Sequence, residues 1–143
     1  MVASRFETGE RCLFSNIYAP MDLVGKSHLW AHINFVWAQD PFLPWNLARD
    51  FNVITSLEEK QGGLFRLDPS SNLLRDNIGL LNLIYVKPIN GIFTWNNRRS
   101  GVEAISERLD RFLVSHFWVH DRWSTNSKIL DWRGYDNWPI KLS

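Results

Sequence analysis

An acid and an amide two positions apart inside a largely apolar run constrain this chain more than any other feature. The run covers residues 45–54 and is typical of a buried strand, with Asp50 and Asn52 two positions apart. Residues i and i+2 of a strand point to one face, so both polar groups would emerge together while Phe51 and Val53 enter the core. An acid that orients a water beside an amide that holds it suits hydrolysis. The alternative for Asp-x-Asn at a strand end is a turn or a helix cap.

The bulk composition indicates one globular domain covering residues 1–143. The chain has 143 residues, 45% hydrophobic and 22% charged, an ordinary balance for a packed core. Its net charge of +1 supplies no overall attraction to nucleic acid. Most of the eight tryptophans are expected in the core, with one or two as surface stacking platforms.

Cysteine content and hydropathy indicate the compartment. A single cysteine, Cys12, excludes an intramolecular disulfide and fits a reducing environment. No apolar run approaches the length of a membrane span, and the N-terminus has no signal pattern. We therefore expect an intracellular protein without membrane contact, and these observations fit the nucleus and the cytoplasm equally.

Hydrophobic periodicity predicts helices and strands in an α/β or α+β arrangement. Helical spacing covers 27–39, with Ser27 as the N-cap, and 70–83, and a polar loop covers 58–69. The other predicted elements are strands, over 11–18, 45–54, 93–95, 104–114, 127–132 and 137–142. Strand–helix–strand–helix followed by several strands is the pattern of mixed folds.

An ordered series of motifs is more informative than any one of its members. The segments are Asn-Ile-Tyr-Ala-Pro at 16–20, Asp-Phe-Asn at 50–52, Glu-Glu-Lys-Gln-Gly-Gly at 58–63, Gly-Ile-Phe-Thr-Trp-Asn-Asn-Arg-Arg at 91–99, Arg-Leu-Asp-Arg-Phe-Leu-Val-Ser at 108–115 and Tyr-Asp-Asn-Trp-Pro-Ile at 135–140. This series resembles the endonuclease/exonuclease/phosphatase superfamily. It looks most like the apurinic-type endonuclease domain encoded by plant LINE-type (non-LTR) retrotransposons.

The resemblance implies a Mg²⁺-dependent hydrolase that cuts DNA, with a fold of four layers, α/β/β/α. This chain would form a partial sandwich, somewhat more than the second half, without the family's N-terminal part. By the same resemblance Asp50 orients the attacking water and Asn52 supports it. Tyr18 touches the scissile phosphate, or is an exposed strand-end tyrosine, and Thr94 lies near the substrate strand.

Two further acids complete the site that the resemblance implies. Asp110 supports the site, although an ion pair with Arg108 or Arg111 is an equally open reading. Asp136 lies near the metal and is the candidate metal ligand. Asn137 takes the position at which the family has a catalytic histidine, and an amide carries no proton near neutral pH.

Further departures from the family pattern weigh against full activity. Arg49 stands where the family usually has glycine, and its cation would crowd Asp50 and pair with it. The N-terminal part that carries the metal-binding glutamate has no counterpart here. Glu58 and Glu59 are expected in a solvated acidic loop and cannot be assumed to replace that ligand.

A small basic tip follows the Thr-Trp motif. Asn97, Arg98 and Arg99 come directly after Trp95-Asn96, and arginine beside aromatic rings often grips a nucleic-acid backbone. A solvated turn is the alternative.

Three hypotheses follow from these observations. The first, which the departures favour, is a degenerate, impaired or inactive fragment of a retrotransposon endonuclease. The second is a phosphodiesterase that becomes active when the N-terminal half is supplied. The third is a non-catalytic module for nucleic-acid binding or for another interaction.

Overall fold

Three sheets and three α-helices form a mixed α+β structure over the described residues. The computed structural model describes residues 2–5, 11–120, 126–131 and 136–143. The strands are β1 Val2–Arg5, β2 Arg11–Tyr18, β3 Trp45–Asp50, β4 Lys60–Gln61, β5 Leu83–Val86, β6 Trp95–Asn96, β7 Ser106–Glu107, β8 Asp110–Ser115, β9 Ser127–Ile129 and β10 Ile140–Leu142. The helices are α1 Leu23–Gln39, α2 Ser70–Leu80 and α3 His116–His120.

The largest sheet has five strands in the order β1-β2-β3-β8-β5. β2 and β3 are parallel and are joined through α1, because parallel neighbours need a crossover rather than a tight hairpin. β8 runs antiparallel to both of its neighbours, β3 and β5. A three-stranded sheet, β4-β7-β6, and a two-stranded sheet, β10-β9, complete the described strands.

Apolar clusters cover both faces of the five-stranded sheet. On the first face, the strands pack against α1 and α2 through residues that include Ile17, Leu47, Leu113, Trp30, Ile33 and Leu74. On the second face, Cys12, Phe112 and Val114 pack against Trp118 of α3 and Ile140 of β10. Because side chains alternate along a strand, Asp110 belongs to this second face, two positions from Phe112, and Asp50 is its direct partner on β3.

The first helix differs from its prediction at one end. It begins at Leu23, four residues early, because the Asp22 carboxylate accepts a 2.7 Å hydrogen bond from the Gly25 N–H and caps it. Ser27, the predicted cap, lies inside the helix, where its hydroxyl donates to the Leu23 carbonyl. The end at Gln39, before Asp40-Pro41, is confirmed.

The other differences concern short elements. β3 ends at Asp50 rather than at residue 54, and the second helix ends at Leu80 rather than at residue 83. Leu83 belongs instead to β5, whose other residues had no predicted element. The predicted strand over 104–114 divides into β7 and β8. β9 ends at Ile129, and Trp132, at the end of the predicted strand, lies outside the described residues.

Cys12 is buried, and burial raises the pKa of its thiol. Along the described ranges, no helix combines the length and the apolar character that crossing a bilayer requires.

Candidate functional site

Three adjacent strands place Tyr18, Asp50 and Asp110 in one row. Tyr18 is the register partner of Asp50 between the parallel strands β2 and β3, and Asp50 is the partner of Asp110 between the antiparallel strands β3 and β8. Direct partners point to the same face of a sheet. Tyr18 is 81% exposed, whereas Asp50 and Asp110 are each 8% exposed. An exposed phenol therefore stands beside a buried pair of carboxyl groups.

The two carboxyl groups disfavour each other's charged form. Burial and, after it, the charge of Asp50 raise the pKa of Asp110 to about 6, against the opposing effects of the Thr94 hydroxyl and nearby arginines. Burial also raises the pKa of Asp50, although a hydrogen bond from the Asn52 N–H and the charge of Arg49 act in the other direction. The pair therefore holds a proton more readily than two separate aspartates would.

Thr94 connects this pair to the C-terminal segment. Its hydroxyl oxygen accepts hydrogen bonds from the Leu109 and Asp110 N–H groups, both at 3.0 Å, and its carbonyl accepts one from Trp138 at 2.7 Å. Thr94 is 0% exposed and thus does not reach the surface itself, and its position near a substrate strand stays a prediction. Its contacts place it behind the site, where it positions the backbone of β8.

A cavity of about 510 Å³ brings the C-terminal residues of the predicted site to Asp110. Its walls are formed by Arg49, Asp110, Asp136, Asn137, Trp138, Pro139 and Ile140. The segment is held there by a bridge between Trp95 and Asn137 and by a hydrogen bond from the Asn96 N–H to the Asp136 carbonyl. The Asp110 Oδ2 atom is buried and has no hydrogen-bond partner among the described residues. Tyr135, which opens the terminal motif, lies outside them.

Asn52 does not emerge beside Asp50, as a continuous strand would require. β3 ends at Asp50, Asn52 has a φ of 50°, and its N–H donates to the Asp50 carboxylate at 2.8 Å. Its side-chain amide donates to the Ala19 carbonyl. This is the turn alternative for Asp-x-Asn, because a side chain accepting from the backbone two residues on defines such a turn. Phe51 and Val53, in contrast, are buried in the core as predicted.

Asn52 instead lines a second cavity, of about 300 Å³, that also contains Lys26. The Lys26 ammonium group donates to the Asn52 carbonyl at 2.9 Å and to the Met21 carbonyl at 3.1 Å. Burial lowers the pKa of Lys26, which is 4% exposed. The lysine thus ties the start of α1 to the turn after β3.

Arg49 has a backbone conformation that favours glycine, with a φ of 99°. Regular alternation would direct it to the Leu47 face, yet it lines the cavity on the Asp110 side. Its charge lowers the pKa of Asp50, but no ion pair between them is present within the described residues, so the predicted pairing is wrong.

Glu59 belongs to a buried ion network that sequence reasoning missed. The predicted solvated loop is correct for Glu58, which is exposed, but Glu59 is 4% exposed. Its carboxylate lies 3.2 Å from Arg111 and 3.7 Å from Arg108, and it accepts a 2.9 Å hydrogen bond from Tyr85. Both arginines that the sequence offered as partners for Asp110 therefore pair with Glu59.

The basic tip is an exposed turn between β6 and β7. Asn97 is occupied in closing it, since its side chain donates to the Glu103 carbonyl and accepts from the Arg99 and Ile105 N–H groups. Arg98 is exposed with a φ of 57°, and Arg99 lies 4.0 Å from Glu103 in an exposed ion pair. Trp95, at its base, is half-buried.

The carboxylate pair matches Mg²⁺ in the type of its donor atoms. Mg²⁺ prefers oxygen ligands and is usually held by one or two carboxylates together with waters and substrate phosphates. Asp50 and Asp110 supply two such groups, and Asp110 also lines the 510 Å³ cavity. Among the described residues, no group of three or more His, Cys, Asp or Glu side chains is placed to hold a metal ion.

Sequence comparison with known proteins identifies no relative of this chain. No protein-family model matches the sequence, and no curated protein matches it with significance.

Proposed function

We propose that this chain derives from a Mg²⁺-dependent phosphodiesterase domain of the endonuclease/exonuclease/phosphatase superfamily, of the plant LINE-type retrotransposon kind, and that its DNA cleavage is impaired or lost. The observation that carries the proposal is the convergence of residues distant in sequence. Asp110, Asp136 and Asn137 line one cavity, and Asp50 is the direct partner of Asp110. Such convergence is what an active site requires.

The partial four-layer sandwich is part of the same proposal. It is supported by a five-stranded sheet with α1 and α2 on one face and with α3 and β10 on the other. The second face is where a second sheet of such a sandwich would pack.

The proposed chemistry assigns distinct tasks to the residues around the cavity. Asp110 would hold the ion, with Asp136 as a further candidate ligand, and Mg²⁺ would neutralise charge on the phosphate. Tyr18, exposed beside Asp50, would contact the phosphodiester. The Asp50 carboxylate would accept the proton of the attacking water.

Impairment follows from two residues in the same cavity. Asn137 presents an amide where a proton-carrying side chain is needed, and losing a general acid or base typically costs about 10²- to 10⁴-fold in rate. Arg49 adds a fixed cation beside the acids, which opposes the binding of a divalent cation.

The decisive experiment compares plasmid nicking in the presence of Mg²⁺ by three proteins. They are the unmodified chain, Asn137→His, and an Asn137→His/Arg49→Gly chain fused to the N-terminal half of a family member. Only the fusion should nick DNA, and Asp50→Ala in the fusion should abolish nicking, whereas Glu58→Gln, an exposed acid outside the cavity, should not. Nicking by the unmodified chain that Asp50→Ala removes would overturn the proposed impairment. A folded fusion that fails to nick would overturn the ancestry.

A second candidate function is non-catalytic binding of nucleic acid. The observation that favours it is the exposed turn with Arg98 and Arg99 above the half-buried Trp95. Binding of DNA by the unmodified chain without nicking would support it.

A further inference from the structure

Trp138 lines three separate cavities around the C-terminal segment. It forms part of the 510 Å³ cavity with Asp110, of a 210 Å³ cavity with Trp95, and of a 230 Å³ cavity with Asn90. Trp138 is 41% exposed, while its backbone N–H donates a 2.7 Å hydrogen bond to the Thr94 carbonyl. An exposed indole on a fixed backbone is a preorganised contact surface.

The 210 Å³ cavity has the composition of a stacking site. Trp95, Trp138 and Phe93 supply aromatic faces, and Arg99 supplies a planar cation at its wall. Aromatic faces stack on nucleobases of any sequence, and arginine adds a charge for the adjoining phosphate. The volume is small compared with sites for drug-sized ligands, which favours one flat ring system.

The adjoining 510 Å³ cavity supplies polar groups for the edge of such a ring. Asn137 is exposed and offers both an amide donor and an amide acceptor, and Asp110 and Asp136 contribute carboxyl groups to the wall of the same cavity. Carboxylates accept hydrogen bonds from exocyclic amino groups of bases. Trp138 separates these polar groups from the aromatic cavity.

We propose that Trp138 is the stacking platform for an unpaired base of single-stranded nucleic acid, with Arg99 at the adjoining phosphate. The inference rests on the proposed function for its ligand class and adds that the preferred strand is unpaired. A base inside a duplex has no free face for an indole. The net charge of +1 also leaves little general attraction to a duplex backbone.

The test is fluorescence anisotropy with a labelled single strand of about 10 nucleotides and with the corresponding duplex. The unmodified chain should prefer the single strand by about 10-fold or more, and Trp138→Ala should weaken that binding by about 10- to 100-fold. Arg99→Ala should reduce the slope of log affinity against log salt by about one.

Two variants make the result interpretable. Phe35→Ala removes an exposed ring from α1, outside the three cavities, and should leave binding unchanged. Trp138→Phe keeps a stacking face and should retain most of the affinity, which excludes misfolding as the cause of loss in Trp138→Ala.

Equal binding of duplex and single strand, absence of binding, or unchanged binding by a folded Trp138→Ala chain would overturn the inference. In each of these outcomes the proposed function would still stand if the Asn137→His/Arg49→Gly fusion nicked a plasmid duplex, with or without Trp138. Single-strand binding that depends on Trp138, combined with a folded fusion that does not nick, would retain the platform and refute the catalytic ancestry.

Discussion

Asp50 and Asp110 are direct partners across two antiparallel strands, each 8% exposed. Two carboxyl groups in this relation cannot both ionise without penalty. The pKa of Asp110 is about 6 in the folded protein, against the usual 3.8. The folded state therefore binds more protons than the unfolded state between these values.

The first prediction concerns pH. The stabilising contribution of Asp110 is fully present below about pH 3.8 and is lost as pH rises through about 6, an effect on the order of 3 kcal/mol. Asp110→Asn should remove this part of the pH dependence of the unfolding free energy, and Asp50→Asn should reduce it. Asp136→Asn, which removes an exposed carboxylate of the same cavity, should leave it in place. Urea unfolding between about pH 4 and pH 7.5 measures the difference, and an unchanged slope in Asp110→Asn would contradict it.

The second prediction concerns Arg49. Its φ of 99° costs about 1–3 kcal/mol for a residue with a side chain, and glycine adopts it without strain. Arg49→Gly should therefore raise the free energy of unfolding by about 1 kcal/mol, after the larger unfolded-state entropy of glycine is subtracted. Arg66→Gly, at an exposed arginine without positive φ, should lower it slightly. Equal destabilisation by both changes in urea titrations would refute the role of strain.

The third prediction concerns the buried ion network. Glu59→Gln keeps the side-chain shape but leaves Arg108 and Arg111 without their counter-charge, which should cost about 3–5 kcal/mol of unfolding free energy. The matched control is Glu58→Gln, an exposed neighbour, with an expected change within about 0.5 kcal/mol. If the two variants melt alike, the network does not stabilise the fold.

The fourth prediction concerns the cap of α1. Asp22→Ala removes the acceptor for the Gly25 N–H and should lower the melting temperature of the protein. Ser27→Ala should be nearly neutral, because alanine is the better helix former inside a helix. Thermal unfolding distinguishes them, and a larger loss from Ser27→Ala would reinstate the predicted cap.

Periodicity predicted the elements that bury a long, regular apolar face. α1, α2 and β2 were found within a few residues because their burial pattern extends over two or more turns or over a full strand. β5 was not predicted, and its first residue, Leu83, was placed at the end of a helix, since a short apolar run fits either structure until its neighbours are known. Its neighbour is β8, about thirty residues later in the sequence.

The site was predictable where the motif lay on a strand and less so where a side chain turned toward the backbone. Asp50 and Asp110 meet because strand register brings them together. Asn52 does not lie beside Asp50 on the sheet, because its backbone N–H donates to the Asp50 carboxylate. This local hydrogen bond competes with continuation of the strand. The burial of Glu59 depends on its ion pair with Arg111, which is fifty-two residues away in the sequence. The residues around Glu59 in the sequence give no indication of this partner.

The buried position of Thr94 has a consequence for motion. The backbone N–H groups of Leu109, Asp110 and Trp138 all donate hydrogen bonds to this one residue. Any fluctuation that withdraws Thr94 releases the start of β8 and the C-terminal segment in the same event. In deuterium exchange these three amides should thus lose protection as one cooperative unit, so the cavity would open as a whole rather than residue by residue.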